Sequence, residues 1–228
     1  MNALVLNRVS KSRGSGAQRV DALRNVSLRI RCGELVMLEG PSGSGKTTLL
    51  AVAGSLLTAD SGSVHLGGES LRGLSSSDRR QLRSRRIGFV FQHANLLTAL
   101  SVRQNLLLRS QLAGLCRTDA ARSADELLER LGIEKLADRS PDSLSGGEEM
   151  RAAVARALVH RPILVLADEP SASLDGDAAL AVADALSRIA REREAAVLIA
   201  THDVRLTPFS DRRVGLLDGR LRNGGVDV

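Results

Sequence analysis

The most chemically specific stretch of the sequence is Gly40-Pro41-Ser42-Gly43-Ser44-Gly45-Lys46-Thr47-Thr48. Its spacing, G-x-x-x-x-G-K-[ST], is that of a phosphate-binding loop. Glycines at 40, 43 and 45 open backbone conformations closed to residues with a Cβ, so successive N–H groups can turn inward around a phosphate chain. A helix beginning near Lys46 adds its positive dipole end. The Lys46 ammonium suits the outer phosphates, and the Thr47 hydroxyl suits Mg2+. The plain alternative is a Gly/Ser-rich surface loop. It does not explain why the apolar run Leu35-Val36-Met37-Leu38 comes directly before and a helical pattern, Thr48–Ala53, directly after.

Four further constellations could act on a bound phosphate. Ile163–Ala167 is apolar and ends abruptly in Asp168-Glu169. The C-terminal end of a parallel strand faces the ligand crevice, and two adjacent carboxylates there require a cation. Asp168 is a candidate for Mg2+ through bound water, and Glu169 for deprotonating an attacking water. Asp-Glu-Pro is also ordinary turn chemistry, and only the phosphate loop weights it toward catalysis. Leu144-Ser145-Gly146-Gly147-Glu148 precedes a helical pattern, Glu148–His160. Ser145 can cap that helix, and the glycines leave N–H groups at its positive end free for an anion, or they simply make a flexible entry. Thr201-His202-Asp203 follows the apolar run 197–200. A His there can donate to a terminal phosphate oxygen, although a lone His is more often structural. Gln92, after Ile87–Phe91, can touch Mg2+ or the attacking water, or merely satisfy a loop. His65, His93 and His160 read as structural.

The elements that must position these groups follow from periodicity. Residues 3–9 and 23–30 read as strands; Val26, Leu28 and Ile30 alternate with Asn25, Ser27 and Arg29, the pattern of a sheet with one wet face. Lys11-Ser12-Arg13-Gly14-Ser15-Gly16 reads as a loop. Strands are expected at 35–39, 63–66, 87–91, 163–167 and 197–200, with a turn at Gly67-Gly68. Between 93 and 160 the pattern is helical, at Ser101–Leu112, Asp119–Leu131 and Glu148–His160. A further helix is expected at 177–192. Asp218-Gly219 between apolar runs is a tight hairpin signal.

The 228 residues suit one large α/β domain, or a core with an inserted subdomain. Three Phe and no Tyr or Trp argue against base-stacking nucleic-acid binding and remove one usual way of gripping adenine. Net charge is +6, almost all of it from Arg. The cluster Arg79-Arg80 and Arg83-Ser84-Arg85-Arg86 reads as a solvated helix face, with a membrane-surface or nucleic-acid role as the lesser alternative. Cys32 and Cys116 lack disulfide or metal spacing. No signal-peptide pattern or apolar run long enough for a membrane span is seen, so a soluble chain in a reducing cytosol is expected, and any membrane role must come through a partner.

Taken in order, these motifs resemble the ATPase subunit of ATP-binding cassette (ABC) transporters over almost the whole chain. Leu144–Glu148 matches the family's signature sequence, with Glu where Gln is common. Gln92 falls at the Q-loop glutamine, Ser171-Ala172-Ser173-Leu174-Asp175 at the D-loop, and His202 at the switch histidine. The resemblance implies an α/β fold: a P-loop NTPase (RecA-like) core, residues 1–92 and 161–228, with an N-terminal antiparallel β subdomain and an inserted α-helical subdomain, 93–160. It implies ATP and Mg2+, with Gly40, Pro41, Ser42, Gly43, Ser44, Gly45, Lys46, Thr47 and Thr48 around the phosphates, and Thr47, Gln92 and Asp168 toward the metal. Glu169 becomes the general base, assisted by His202 and Gln92. It also implies a head-to-tail pair in which each ATP lies between the phosphate loop of one chain and Leu144, Ser145, Gly146, Gly147 and Glu148 of the other, with Ser171, Leu174 and Asp175 in the D-loop.

The implied partners are a second copy or a homologous ATPase, and an integral membrane subunit received on the block 93–160. That subunit would hold the chain at the cytoplasmic face of the membrane; nucleic acid is not implied. Where many members stack adenine on an aromatic, this chain has Arg13, whose flat guanidinium can stack on a purine. Arg86–Gln92 and Asn95–Asn105 are similar to the lipoprotein-releasing, macrolide-efflux and heterocyst-glycolipid-exporter group, which implies export or mechanotransmission of lipid, lipoprotein or drug-like cargo. The alternative is an ATPase regulator of a non-transporting membrane partner, such as a cell-division signalling complex. A chromosome-type ABC ATPase would need a long coiled coil between phosphate loop and signature, and no heptads lie there. A small GTPase would need Asn-Lys-x-Asp, which is absent.

Overall fold

The computed structural model describes residues 1–222 apart from Ser15, Ala17 and Gln18; Ser15, in the expected loop 11–16, therefore lies outside the described residues. β1 (Asn2–Arg13) and β2 (Val20–Arg31) form an antiparallel pair whose inward residues, among them Leu23, Val26, Leu28 and Ile30, are buried. β3 (Leu35–Glu39) enters a second sheet and runs into α1 (Lys46–Ala53). β4 (Ser61–Leu66) and β5 (Glu69–Ser70) return to the first sheet, whose order is β2-β1-β4-β5.

After α2 (Ser76–Arg86) comes β6 (Ile87–Val90). The helices α3 (Val102–Leu112), α4 (Arg117–Arg130) and α5 (Gly146–Leu158) follow, with no intervening strand among the described residues. β7 (Leu164–Asp168), α6 (Gly176–Arg193), β8 (Ala196–Ala200), β9 (Arg212–Leu217) and β10 (Arg220–Arg222) complete the chain. The second sheet has the order β10-β9-β3-β8-β7-β6, parallel except for β10.

The central strands lack polar alternation because both their faces are covered. Leu35, Met37, Val165, Ala167, Val197 and Ile199 pack toward α3–α6. Val36, Leu38, Leu164, Leu166, Leu198 and Ala200 pack toward α1 and the antiparallel sheet. The helical stretch 93–160 thus shares one apolar cluster with the sheet. Contact there is close. A Cβ on Gly88 of β6 would stand 2.2 Å from the Ala157 carbonyl oxygen of α5.

Two expectations need correction. Lys11, Ser12 and Arg13 are strand rather than loop, pairing with Leu23, Asp21 and Val20. Asp60 is the reason: it accepts from Lys11 Nζ (2.6 Å) and from the Ser12 N–H (2.7 Å), which satisfies the polar strand end. The basic face of α2 is only partly solvated. Arg80 and Arg85 are exposed. Arg79 donates to Ser55 Oγ and to the carbonyls of Leu71 and Leu74, while Arg83 donates to the Ser55 carbonyl. These two arginines fasten α2 to the turn after α1. The hairpin at 218–219 forms as expected, with Leu217 opposite Arg220 and both loop residues at positive φ. Both cysteines are free.

Candidate functional site

The crevice lies at the C-terminal ends of the parallel strands, where the loops after β3, β7 and β8 converge. Residues 40–45 turn from β3 into α1. Gly45, at φ 109°, is the pivot, and a Cβ there would stand 2.3 Å from the Ala22 carbonyl oxygen. Lys46 is almost fully buried, and its Nζ donates to the carbonyls of Gly40 (2.6 Å) and Pro41 (3.3 Å), curling the loop over the helix end. Ser44 Oγ is buried without a partner. The loop lines a cleft of about 450 Å3 together with Asp168, Glu169, the start of β2 and the β9–β10 hairpin.

Asp168 ends β7 beside the Thr47 hydroxyl. Burial pushes its carboxyl up, helped by the neighbouring Glu169 charge, while Thr47 and Lys46 pull it down. Glu169 has φ 49°, an uncommon conformation for a non-glycine residue, and its N–H donates to the Ala200 carbonyl (2.8 Å). Such outliers persist only where the surroundings over-determine them. Here Thr201 Oγ1 donates to Glu169 Oε2 (3.0 Å), and His202 Nδ1 lies 3.0 Å from Oε1. The spatial meeting of Glu169 and His202 is therefore direct.

Thr201 escaped the sequence reading, since nothing marks a Thr at a strand end as an anchor. It is fully buried and also accepts the Asp203 N–H (3.0 Å). Asp203 in turn accepts from Ser171 Oγ (2.8 Å) and from Arg205 Nε and Nη2. The Arg205 guanidinium, with Ser171, holds the Asp203 carboxyl down to about 2 against its partial burial. Ser171 of the expected D-loop is thereby tied to the loop that carries His202.

The helix end at Gly146-Gly147 stands at a different cavity, of about 490 Å3, lined also by Ser145, Leu174, Asp175 and Arg151. Ser145 caps α5 as expected: its Oγ accepts from the Glu148 N–H, and Glu148 Oε2 accepts from the Ser145 N–H and hydroxyl (both 2.8 Å). Those bonds hold the Glu148 carboxyl below its usual range. Met150 is buried. Asp175 caps α6, accepting from the Ala178 N–H (2.8 Å). The two cavities share no lining residue.

The expected site residues that line or touch these cavities form two groups, Pro41–Thr48 with Asp168 and Glu169 (His202 touching the latter), and Ser145–Gly147 with Leu174 and Asp175, while Gly40, Leu144, Glu148 and Ser171 line neither. Gln92 and Arg13 join neither. Gln92 is exposed just beyond β6, and Arg13 is exposed at the end of β1, opposite Val20 of the cleft. The cleft's other wall, Asp218-Gly219 and Val20–Ala22 with Arg24, was legible only as a hairpin and a strand.

Residues 23–172 match the family model described as ABC transporter. The chain is 44% identical over 216 residues to the lipoprotein-releasing system ATP-binding protein LolD of Novosphingobium aromaticivorans, covering 95% of this chain and 96% of the relative. It is 38% identical over 219 residues to the putative hemin import ATP-binding protein HrtA of Staphylococcus haemolyticus, covering 96% and 99%. Among solved structures, the dimeric post-hydrolysis state of the ATP-binding cassette MJ0796 bound to ADP and Pi superposes with a TM-score of 0.87 at 32% identity, covering 96% and 97%. A strand-end acid pair beside a phosphate loop, a capped Gly-Gly helix end and these matches have one common reading: the chain belongs to the ABC transporter family, as an ATPase subunit.

Proposed function

We propose that two copies of this chain bind two ATP molecules head to tail and use their hydrolysis to drive a separate integral membrane subunit. The observation that carries this reading is the separation of the two clefts. The phosphate loop and the Gly146-Gly147 helix end are both suited to anions, yet each chain holds them apart. A second copy brings the helix end of one chain to the phosphate loop of the other, as the dimeric MJ0796 cassette supports.

Within each composite site, the loop N–H groups from Gly40 to Thr48 and Lys46 hold the triphosphate. Ser145, Gly146 and Gly147 of the opposing copy close over its end. Glu169 accepts a proton from the attacking water, and His202 fixes the Glu169 carboxylate and faces the terminal phosphate. The cleft fits Mg2+. Asp21, Asp168, Glu169 and Asp218 face only Lys46 and Arg24 across it, so a triphosphate entering there needs further positive charge. Thr47 and Asp168 would hold the ion, with Gln92 a further ligand once its loop approaches; when bound, the ion neutralises phosphate charge.

The stretch 93–160 is taken as a helical subdomain on a core of 1–92 and 161–228, and as the surface that receives the membrane subunit. None of the described helices is long and apolar enough to cross a membrane; attachment at the cytoplasmic face would run through the membrane subunit. The names of the LolD relatives favour lipoprotein-like cargo.

Glu169→Gln tests the assignment. ATP binding should persist while hydrolysis falls at least about 100-fold, the scale of a lost general base, and ATP should then accumulate closed dimers in size-exclusion chromatography. Hydrolysis at the wild-type rate would remove Glu169 from the mechanism.

A further inference from the structure

Arg205 lines neither cleft, yet it grips the loop that carries His202. Its Nε (2.8 Å) and its backbone N–H (3.1 Å) donate to Asp203 Oδ1, and its Nη2 donates to Oδ2 (2.7 Å). The buried Ser171 adds its hydroxyl to Oδ2 (2.8 Å). Ion pairs at a protein surface usually contribute little. Arg188–Asp184, a 3.7 Å contact between two exposed side chains, is of that kind. The Asp203 pair differs. The Asp203 side chain is only 12% exposed, both its oxygens are engaged, and the planar guanidinium fork fixes direction as well as distance.

The grip continues to the carboxylate beside the phosphate loop. The Asp203 N–H donates to Thr201 Oγ1 (3.0 Å), whose single hydroxyl proton goes to Glu169 Oε2 (3.0 Å). Groups bonded in series like this strengthen one another. The guanidinium also reaches the start of α6. A Cβ on Gly176 would stand 3.8 Å from Arg205 Nη1. The bonds to Asp203, with the Asp175 charge as a lesser cause, hold the guanidinium pKa above its usual value. Arg205 therefore stays charged and stays in place.

Resting on the assignment of Glu169 as general base, we propose that Arg205 is a positioning residue for ATP hydrolysis. It acts through Asp203, and through Asp203 on the Thr201 hydroxyl, so that the Glu169 carboxylate keeps the direction in which it meets the attacking water.

The test uses the full chain with Mg2+ and ATP, as wild type, Arg205→Gln, Glu169→Gln and the double variant. Arg205→Gln keeps a polar side chain and deletes the charge and the fork. Its kcat should fall about tenfold with KM for ATP within twofold, because the phosphate loop is untouched. Arg205→Lys keeps the charge without the fork and should recover part of that loss. In the Glu169→Gln background, single-turnover hydrolysis should not fall further when Arg205→Gln is added, since two changes acting through one carboxylate do not add. A general loss of fold or of dimer would lower both backgrounds by the same factor. An Arg205→Gln kcat within twofold of wild type, or equal falls in the two backgrounds, overturns the inference and leaves the ATPase reading standing. Hydrolysis at the wild-type rate by Glu169→Gln overturns the assignment of the base, and the inference with it.

Discussion

Glu169 has both carboxylate oxygens occupied, by Thr201 on one side and His202 on the other. Its backbone is held at positive φ, and those two contacts hold the carboxylate against the residues that follow β8. Thr201 is the less replaceable because it is fully buried and also satisfies the Asp203 N–H. Thr201→Val keeps the shape and deletes both bonds. The expected cost is about 1–3 kcal/mol of stability, the usual penalty for an orphaned buried donor. Hydrolysis should drop about tenfold with KM for ATP within twofold, because the base would be mispositioned while the phosphate loop stays intact. Thr201→Ser should restore the rate. Steady-state kinetics beside urea unfolding separates the two effects, and a rate unchanged by Thr201→Val would make the contact purely structural.

Among the elements, α5 connects the Gly146-Gly147 helix end to the rest of the core. Its N-terminus carries the Ser145–Glu148 capping box, and His160 lies just past its C-terminus. The His160 ring is buried, and its Nε2 faces Arg109 Nη2 of α3 (2.8 Å). Burial and the Arg109 charge push the ring's pKa down to about 3, so it is neutral in the fold. Unfolded, it titrates near 6.5. Below that pH the unfolded chain binds a proton that the folded chain refuses. The stabilisation is therefore complete above about pH 6.5 and erodes as pH falls toward 3, at up to about 1.4 kcal/mol per pH unit. Between pH 7.5 and 5.5 the wild type should lose about 1.4 kcal/mol more unfolding free energy than His160→Gln, measured from urea curves at each pH. Equal losses would mean the ring is already accommodated as a cation.

For the whole molecule, the decisive observation is that the phosphate loop and the Gly146-Gly147 helix end line separate cavities. A bulky cation at the helix tip should obstruct the approach of the second copy without touching the phosphate loop of its own chain. Ser145→Arg is expected to bind ATP weakly as a monomer, to form no ATP-dependent dimer by light scattering, and to reduce hydrolysis at least about 100-fold. It also removes the α5 cap, at a cost of about 1 kcal/mol, so its melting temperature must be compared with that of Ser145→Ala. An Arg variant that dimerises normally with ATP would place the helix tip outside the interface.

Much of this was local enough to read from the chain. The phosphate loop, the acids ending an apolar strand, the Ser145 cap and the Asp218-Gly219 hairpin are each set by a few consecutive residues. Periodicity located the helices from 101 to 160, because a buried stripe repeats along one element. Lys11–Arg13 misled, because the group that satisfies them, Asp60, is nearly fifty residues away. Thr201 as the anchor of Glu169, Arg79 and Arg83 as fasteners of α2, and the cleft wall formed by β2 with the β9–β10 hairpin share that property. Chemistry carried by neighbours in sequence was determined by the sequence itself. Which distant side chains share a hydrogen bond, and that the phosphate loop and the Gly146-Gly147 helix end face different cavities, only the tertiary structure decided: the order β3-β8-β7 brings Thr201 to Glu169 and the β1–β4 pairing brings Asp60 to Lys11, since contact between remote segments depends on how the sheets stack them.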